Sequence, residues 1–224
     1  MANLNQGSIL VIDPGTRVAE LDCFNYISQR SKTPCTYHLP AINGFSSLRC
    51  HKGPIKAIII LGSGASVYDD LEWQGQLRKF VEPHFSKKTP ILGICYGHQL
   101  IAHMFGAEIG LLDPDGKKEE GVRKIELKTT ERLGISFNGN LIISHKEVVK
   151  KCPEGFVTIA KSPKVEIEAL EHIDFPIWTF QAHPEATDEF LNNQNIRISN
   201  LPAKEEAFKN GHLIINKFLE TITD

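Results

Sequence analysis

An α/β fold, with a doubly wound, mostly parallel sheet flanked by helices and carrying a small antiparallel insertion, is what this sequence predicts. Three observations carry the prediction. Short apolar runs rich in β-branched residues recur along the chain, they alternate with stretches of helical periodicity, and the alternation lapses between residues 109 and 170. Continuous apolar runs suit strands covered on both faces, as in a parallel sheet. Alternation of strand and helix implies right-handed crossovers and helices on both faces.

The first predicted strand is Ser8–Asp13, closed by the turn Asp13-Pro-Gly15. Residues 17–30 place Val18, Leu21, Phe24, Tyr26 and Ile27 roughly on one side of a helix. The strand Ile55–Leu61 runs into the glycine-containing turn Gly62-Ser-Gly-Ala-Ser66. Tyr68-Asp-Asp70 is then read as opening a helix through an Asp N-cap, with Leu71, Trp73, Leu77, Phe80 and Val81 on one face of residues 71–81. Ile91–Ile94 is the next strand, followed at once by a helix over Gly97–Phe105.

Within residues 109–170 the predicted strands are Arg123–Leu127, Leu141–Ile143, Phe156–Ala160 and Val165–Leu170, an antiparallel insertion or edge ribbon of the same domain. Ile177–Gln181 is the last strand, Thr187–Pro202 reads as an irregular loop, and Lys204–Ile222 as the closing helix. No internal repeat interrupts this order, and one domain over residues 1–224 is expected, with Trp73 and Trp178 in its core.

A formal net charge of −2, with 41% hydrophobic and 23% charged residues, excludes the basic excess of a nucleic-acid or anionic-membrane binder. The short run Lys117–Glu120 reads as solvated loop surface. No window has the length of apolar sequence that a membrane span needs, and the opening residues lack the order of a signal peptide. Five cysteines, an odd number with no CxxC pair, argue against a disulfide framework or a zinc site. A cytoplasmic, reducing setting is expected, with no metal and no cofactor. In it Cys23, Cys35, Cys50 and Cys152 read as small buried core residues.

Cys95 reads differently. In Pro90-Ile-Leu-Gly-Ile-Cys-Tyr-Gly-His-Gln99 a strand ends at Cys95, Gly97 permits a tight turn, and a helix begins. That is a nucleophile elbow. The positive end of the helix dipole favours thiolate, and the amide of Tyr96 is left free to meet an oxyanion. A thiol nucleophile needs a base, and the base needs a partner that fixes its tautomer. Gln181-Ala-His-Pro-Glu185 supplies both at a strand end, as His183 and Glu185. The turn Gly62–Ser66 exposes backbone N–H groups but lacks the Lys-Ser/Thr of a P-loop, so it is read as oxyanion-binding. His98 and His103, on the helix after the elbow, read as packing or surface residues.

Together these segments resemble the class I (triad) glutamine amidotransferases, nearest in look to the glutaminase part of GMP synthetases and to stand-alone relatives. Gly93-Ile-Cys-Tyr-Gly-His-Gln99 is similar to the family's nucleophile elbow, Gln181-Ala-His-Pro-Glu185 to its base motif, and Gly62-Ser-Gly-Ala65 to its oxyanion turn. Ile143-Ser-His-Lys-Glu-Val148 is similar to the segment lining the glutamine pocket. The resemblance implies a flavodoxin-like fold, a Cys95–His183–Glu185 triad, and an oxyanion hole from the N–H groups of Gly64 and Tyr96. It further implies glutamine held by Gln99, Ser144 and His145. Ser63 and Ala65 replace the usual Gly and Pro, and Lys146 and Glu147 replace the common Gly and Asp.

The reaction implied is hydrolysis of the glutamine side-chain amide through a thioester, with ammonia passed to a synthetase or synthase partner on a separate chain. The alternative is a γ-glutamyl peptide or compound hydrolase with the same triad, and a silent regulatory module on the same fold is the third reading.

Overall fold

A computed structural model describes residues 7–130 and 132–222. In chain order the elements are β1 (Ser8–Ile12), α1 (Leu21–Arg30), β2 (Cys35–His38), α2 (Pro40–Asn43), α3 (Ser46–Arg49), β3 (Ile55–Ile60), α4 (Glu72–Ser86), β4 (Ile91–Ile94) and α5 (Tyr96–Met104). There follow β5 (Ile109–Leu111), β6 (Glu119–Leu127), β7 (Phe137–His145), β8 (Glu147–Val149), β9 (Phe156–Lys161), β10 (Ala169–His172), β11 (Ile177–Phe180), α6 (Asp188–Asn193) and α7 (Leu201–Glu220).

The predicted architecture is present. A sheet of nine strands runs β2-β1-β3-β4-β11-β10-β9-β6-β7, and β5 pairs with β8 in a separate two-stranded ribbon. The neighbours from β2 to β11 are all parallel, and those from β11 to β7 all antiparallel. Because side chains alternate along a strand, β1 sends Ile9 and Val11 to one core and Leu10 and Ile12 to the other. The first core is closed by Ile27 of α1 and by Ile214, Ile215 and Phe218 of α7. The second is closed by Leu77 and Val81 of α4 and by Leu100 and Ile101 of α5. Burial on both faces is why the parallel strands are continuously apolar.

Several boundaries differ from the expectation. The first helix begins at Leu21, and Val18 and Leu21 are exposed; Cys23 and Ile27 form its buried stripe. Residues 17–20 instead wrap over the buried carboxylate of Asp13, which accepts the N–H groups of Gly15 and Glu20 and the Tyr37 hydroxyl. No Asp caps α4: the Leu71 N–H donates to Oε1 of Gln74 at 2.9 Å. That helix runs on to Ser86 because Pro83 lies near its end, where a missing N–H matters least. The segment 187–202 is not all loop. Thr187 caps α6 by accepting the Phe190 N–H at 3.2 Å, and Asn200 caps α7, which starts at Leu201.

Val165–Ile167 lie outside β10, which begins at Ala169. Glu119 and Glu120 belong to β6 and are not loop. Four-residue β2 and three-residue β5 and β8 were too short to carry a periodic signal. Trp178 is core and Trp73 packs on it part-buried, while Cys50 is exposed and Cys35 and Cys152 are half-buried, against the reading of all four minor cysteines as core.

Candidate functional site

The strand β4 ends at Cys95, whose backbone N–H is held by Phe180 O of β11 at 2.8 Å. Its φ of 51° and ψ of −99° are rare for a residue with a Cβ, a strain of about 1–3 kcal/mol that the surrounding structure must hold. What holds it is close packing of the elbow against β3. A Cβ added at Gly97 would come within 2.4 Å of Ile60 O, so only glycine lets α5 lie so near the neighbouring strand. The helix that starts at Tyr96 leaves its first N–H groups without intrahelical acceptors, directed at the end of the sheet.

At the end of β11 the chain turns through Gln181–Glu185. The His183 N–H binds Ile142 O of β7 at 2.8 Å. His183 Nδ1 lies 2.9 Å from Glu185 Oε1, both side chains being buried. A carboxylate only accepts, so Nδ1 carries the proton and Nε2 is the nitrogen left for chemistry. Among the described residues Nε2 has no hydrogen-bond partner. Burial by itself pushes the His183 ring toward the neutral form, but the charges of Glu185 and of the Cys95 sulfur outweigh it and lift its pKa to about 10. The ring is thus held as imidazolium beside the sulfur. Phe190 of α6 covers it, with ring centroids 4.6 Å apart.

The predicted constellation is brought together around one cavity of about 430 Å³, lined by Cys95, His183, Glu185, Gly64, Gln99, Ser144 and His145. The Tyr96 side chain, in contrast, is fully buried in the second core, and only its backbone N–H is placed to serve the cavity. Ser63, one of the two departures in the glycine turn, braces it: its hydroxyl donates to Pro14 O at 2.8 Å and accepts the Ala65 N–H at 3.2 Å. His98, read as packing, is buried and bonds Thr179 at 2.7 Å, and its burial lowers its pKa to about 3.

Several residues at the site carried no signal in the sequence. Gly62 is one: a Cβ there would stand 2.8 Å from His183 Cε1 and 3.6 Å from Cys95 Cβ. Gln181 is another, with Nε2 3.8 Å from the Cys95 sulfur. Arg123 is the third, buried and bonded to His145 Nε2 at 3.0 Å and Glu168 Oε1 at 2.8 Å. Arginine only donates, so His145 Nε2 must accept, and its Nδ1–H goes to Glu147 O at 3.1 Å. Burial first, then the Arg123 and His183 charges, lower the His145 pKa to about 3. Buried polar partners such as these are set by pairing across the sheet, which no local pattern reports. Among the described residues no cluster of His, Cys, Asp and Glu could hold a metal ion, and no helix is long and apolar enough to cross a membrane.

Residues 32–200 match the family model "Glutamine amidotransferase class-I". The chain is 33% identical over 145 residues to the glutamine-hydrolysing subunit of the GMP synthase of Methanocaldococcus jannaschii, an alignment covering 64% of this chain and 71% of that protein. It is 38% identical over 132 residues to "GMP synthase [glutamine-hydrolyzing]" of Brachyspira hyodysenteriae, where 58% of this chain meets only 24% of the relative's length. In structure it superposes on a glutamine amidotransferase of Thermotoga maritima with a TM-score of 0.73 and 16% identity, over 97% of this chain and 99% of that one.

Proposed function

Since this chain belongs to the class-I glutamine amidotransferase family, we propose that it hydrolyses the side-chain amide of glutamine at Cys95 and releases ammonia for a synthetase on a separate chain. One observation carries the reading. A cysteine on a strained strand–helix turn, a histidine with one nitrogen on a carboxylate and the other unpartnered, and a cavity large enough for a small substrate converge at one point.

In this reading His183 Nε2 takes the Cys95 proton, and the sulfur attacks the amide carbon. The carbonyl oxygen, now negative, is met by the N–H groups of Gly64 and Tyr96. His183 returns the proton to the amide nitrogen as the C–N bond breaks, which releases ammonia and leaves a thioester. A water gives a proton to His183 and its oxygen to the acyl carbon, the C–S bond breaks, and glutamate departs. Glu185 fixes the ring throughout. Gln99, Ser144 and His145 hold the amino-acid end of the substrate. A relative named as one subunit of a glutamine-hydrolysing GMP synthase supports a partner that takes up the ammonia, and five free cysteines suit a reducing, cytoplasmic setting.

The test is ammonia release from glutamine by the native protein and by Cys95→Ala, with labelling by a glutamine analogue bearing an electrophilic side chain. Release that vanishes in the variant, with label on Cys95 alone, is expected. Label on Cys23, Cys35, Cys50 or Cys152 instead overturns the assignment, and neither release nor label supports a silent module. A second reading, γ-glutamyl peptide hydrolysis, is favoured by the cavity's extension beyond Cys95 to Thr16–Val18 and Asn193–Asn195, space that ammonia does not need. Cleavage of γ-glutamyl peptides without glutamine turnover would establish it.

A further inference from the structure

A directed chain of hydrogen bonds ends on the Cys95 sulfur, and its direction is set by groups that have no choice. Glu147 O is a backbone carbonyl and can only accept. Gln99 Nε2 lies 2.8 Å from it, so the Gln99 side chain must present its NH2 group there. The same nitrogen is 3.2 Å from the side chain of Gln181, which must therefore offer Oε1. That leaves the NH2 group of Gln181 facing Cys95 Sγ at 3.8 Å. His145 Nδ1 donates to the same Glu147 carbonyl, so this acceptor is held from two sides.

Gln181 is completely buried at the end of β11, and its backbone N–H is bound by Glu168 O at 2.7 Å, so the side chain is not free to turn away. The sulfur has a second neighbour, Ser144 O at 3.9 Å. That carbonyl can take a bond from a thiol S–H but offers nothing to an anionic sulfur. The Gln181 N–H does the opposite.

We propose that Gln181 is a further catalytic residue, whose amide N–H stabilises the Cys95 thiolate as nucleophile and as leaving group, and that Gln99 is a positioning residue for it. This rests on the reading of Cys95 as the nucleophile. In the first step the S–H proton goes to His183 Nε2 and the charge left on sulfur meets the Gln181 N–H. In the last step the electrons of the breaking C–S bond return to sulfur and are met by the same donor. The bond is charge-assisted only while sulfur is anionic, so it favours the reactive form over the resting thiol.

The experiment compares the native protein with Gln181→Met, which keeps length and loses the donor, and with Gln99→Met, which removes only the orienting bond. The rate of Cys95 alkylation by iodoacetamide is read by peptide mass spectrometry at pH 7 and at pH 9.5, beside kcat and KM for glutamine. In Gln181→Met the pH 7 rate should fall about tenfold, the worth of one charge-assisted bond, and the gap should close at pH 9.5. The kcat should fall by at least about tenfold with KM within about twofold. Gln99→Met should shift alkylation in the same direction by a smaller factor, and it carries the test if Gln181→Met fails to fold. Alkylation at pH 7 equal to native in either variant, or a deficit in Gln181→Met that persists at pH 9.5, overturns the proposal. If the native protein releases no ammonia while alkylation follows this pattern, the donor role stands and the glutaminase reading falls.

Discussion

At Cys95 the backbone carries a conformation that a residue with a side chain avoids, with φ at 51°, and the neighbours that enforce it are a tight glycine contact at Gly97 and a strand bond from Phe180. If this elbow presents the nucleophile, Cys95→Ala should lower glutamine hydrolysis by about 10³-fold or more, and His183→Gln by a similar factor. Glu185→Gln keeps the shape yet can donate, which invites the wrong His183 tautomer; a loss of about 10²–10⁴-fold in kcat is expected, read by steady-state ammonia release. The His183 ring has its own signature. Its pKa is raised from 6.5 to about 10, so the stability it contributes is present below pH 6.5 and lost as pH rises through about 10. Thermal unfolding of native protein and His183→Gln should therefore differ most at low pH and converge in alkaline solution. Convergence on acidification instead would contradict the imidazolium assignment.

At the scale of the elements, the site is enclosed by two segments far apart in the chain. Asp13 organises the turn after β1, and Glu20, at the end of that turn, takes bonds from Asn193 at 3.1 Å and Gln194 at 2.9 Å beside α6. Burial raises the pKa of both carboxyls, in opposition to their hydrogen bonds. The helix α6 has six residues and depends on its Thr187 cap, and it carries the Phe190 ring that covers His183. Thr187→Ala should cost about 1 kcal/mol in denaturant unfolding and lower kcat severalfold through a looser Phe190. An unchanged kcat with the stability loss would separate α6 from the reaction. This helix went unread in the sequence because six residues hold fewer than two turns, too few for a periodic stripe. Its cap Thr187 and the acidic pair Asp188-Glu189 were the signal available. The strands β1, β3, β4 and β11 were legible for the opposite reason, since both their faces are buried.

On the scale of the whole molecule, the parallel half of the sheet supplies Cys95 and the His183 turn, and the antiparallel half supplies Ser144, His145 and the Glu147 carbonyl. The halves are tied at Arg123, a buried cation on β6 shared by Glu168, Glu119 and His145. Arg123→Met leaves the Glu168 carboxylate buried without its cation and should destabilise the protein by about 3–5 kcal/mol, while Arg123→Met with Glu168→Leu should recover most of the loss in urea unfolding. Additive losses would show that the pair is not energetically coupled.

The sequence by itself determined the α/β class, the order of the main strands and helices, and three local motifs: the Cys95 elbow, the His183-Pro-Glu185 turn and the glycine turn at Gly62–Ser66. Each is short range, written in residue periodicity or in the few side chains a tight turn accepts. Only the tertiary structure decided that these motifs share one cavity, that Arg123 fixes the His145 tautomer, and that Gln181 aims a donor at the sulfur. The reason is physical. A buried polar group must find its partner wherever the fold brings one, and here the partners lie 86 residues apart between Gln181 and Cys95 and 22 between Arg123 and His145, beyond the reach of any local pattern.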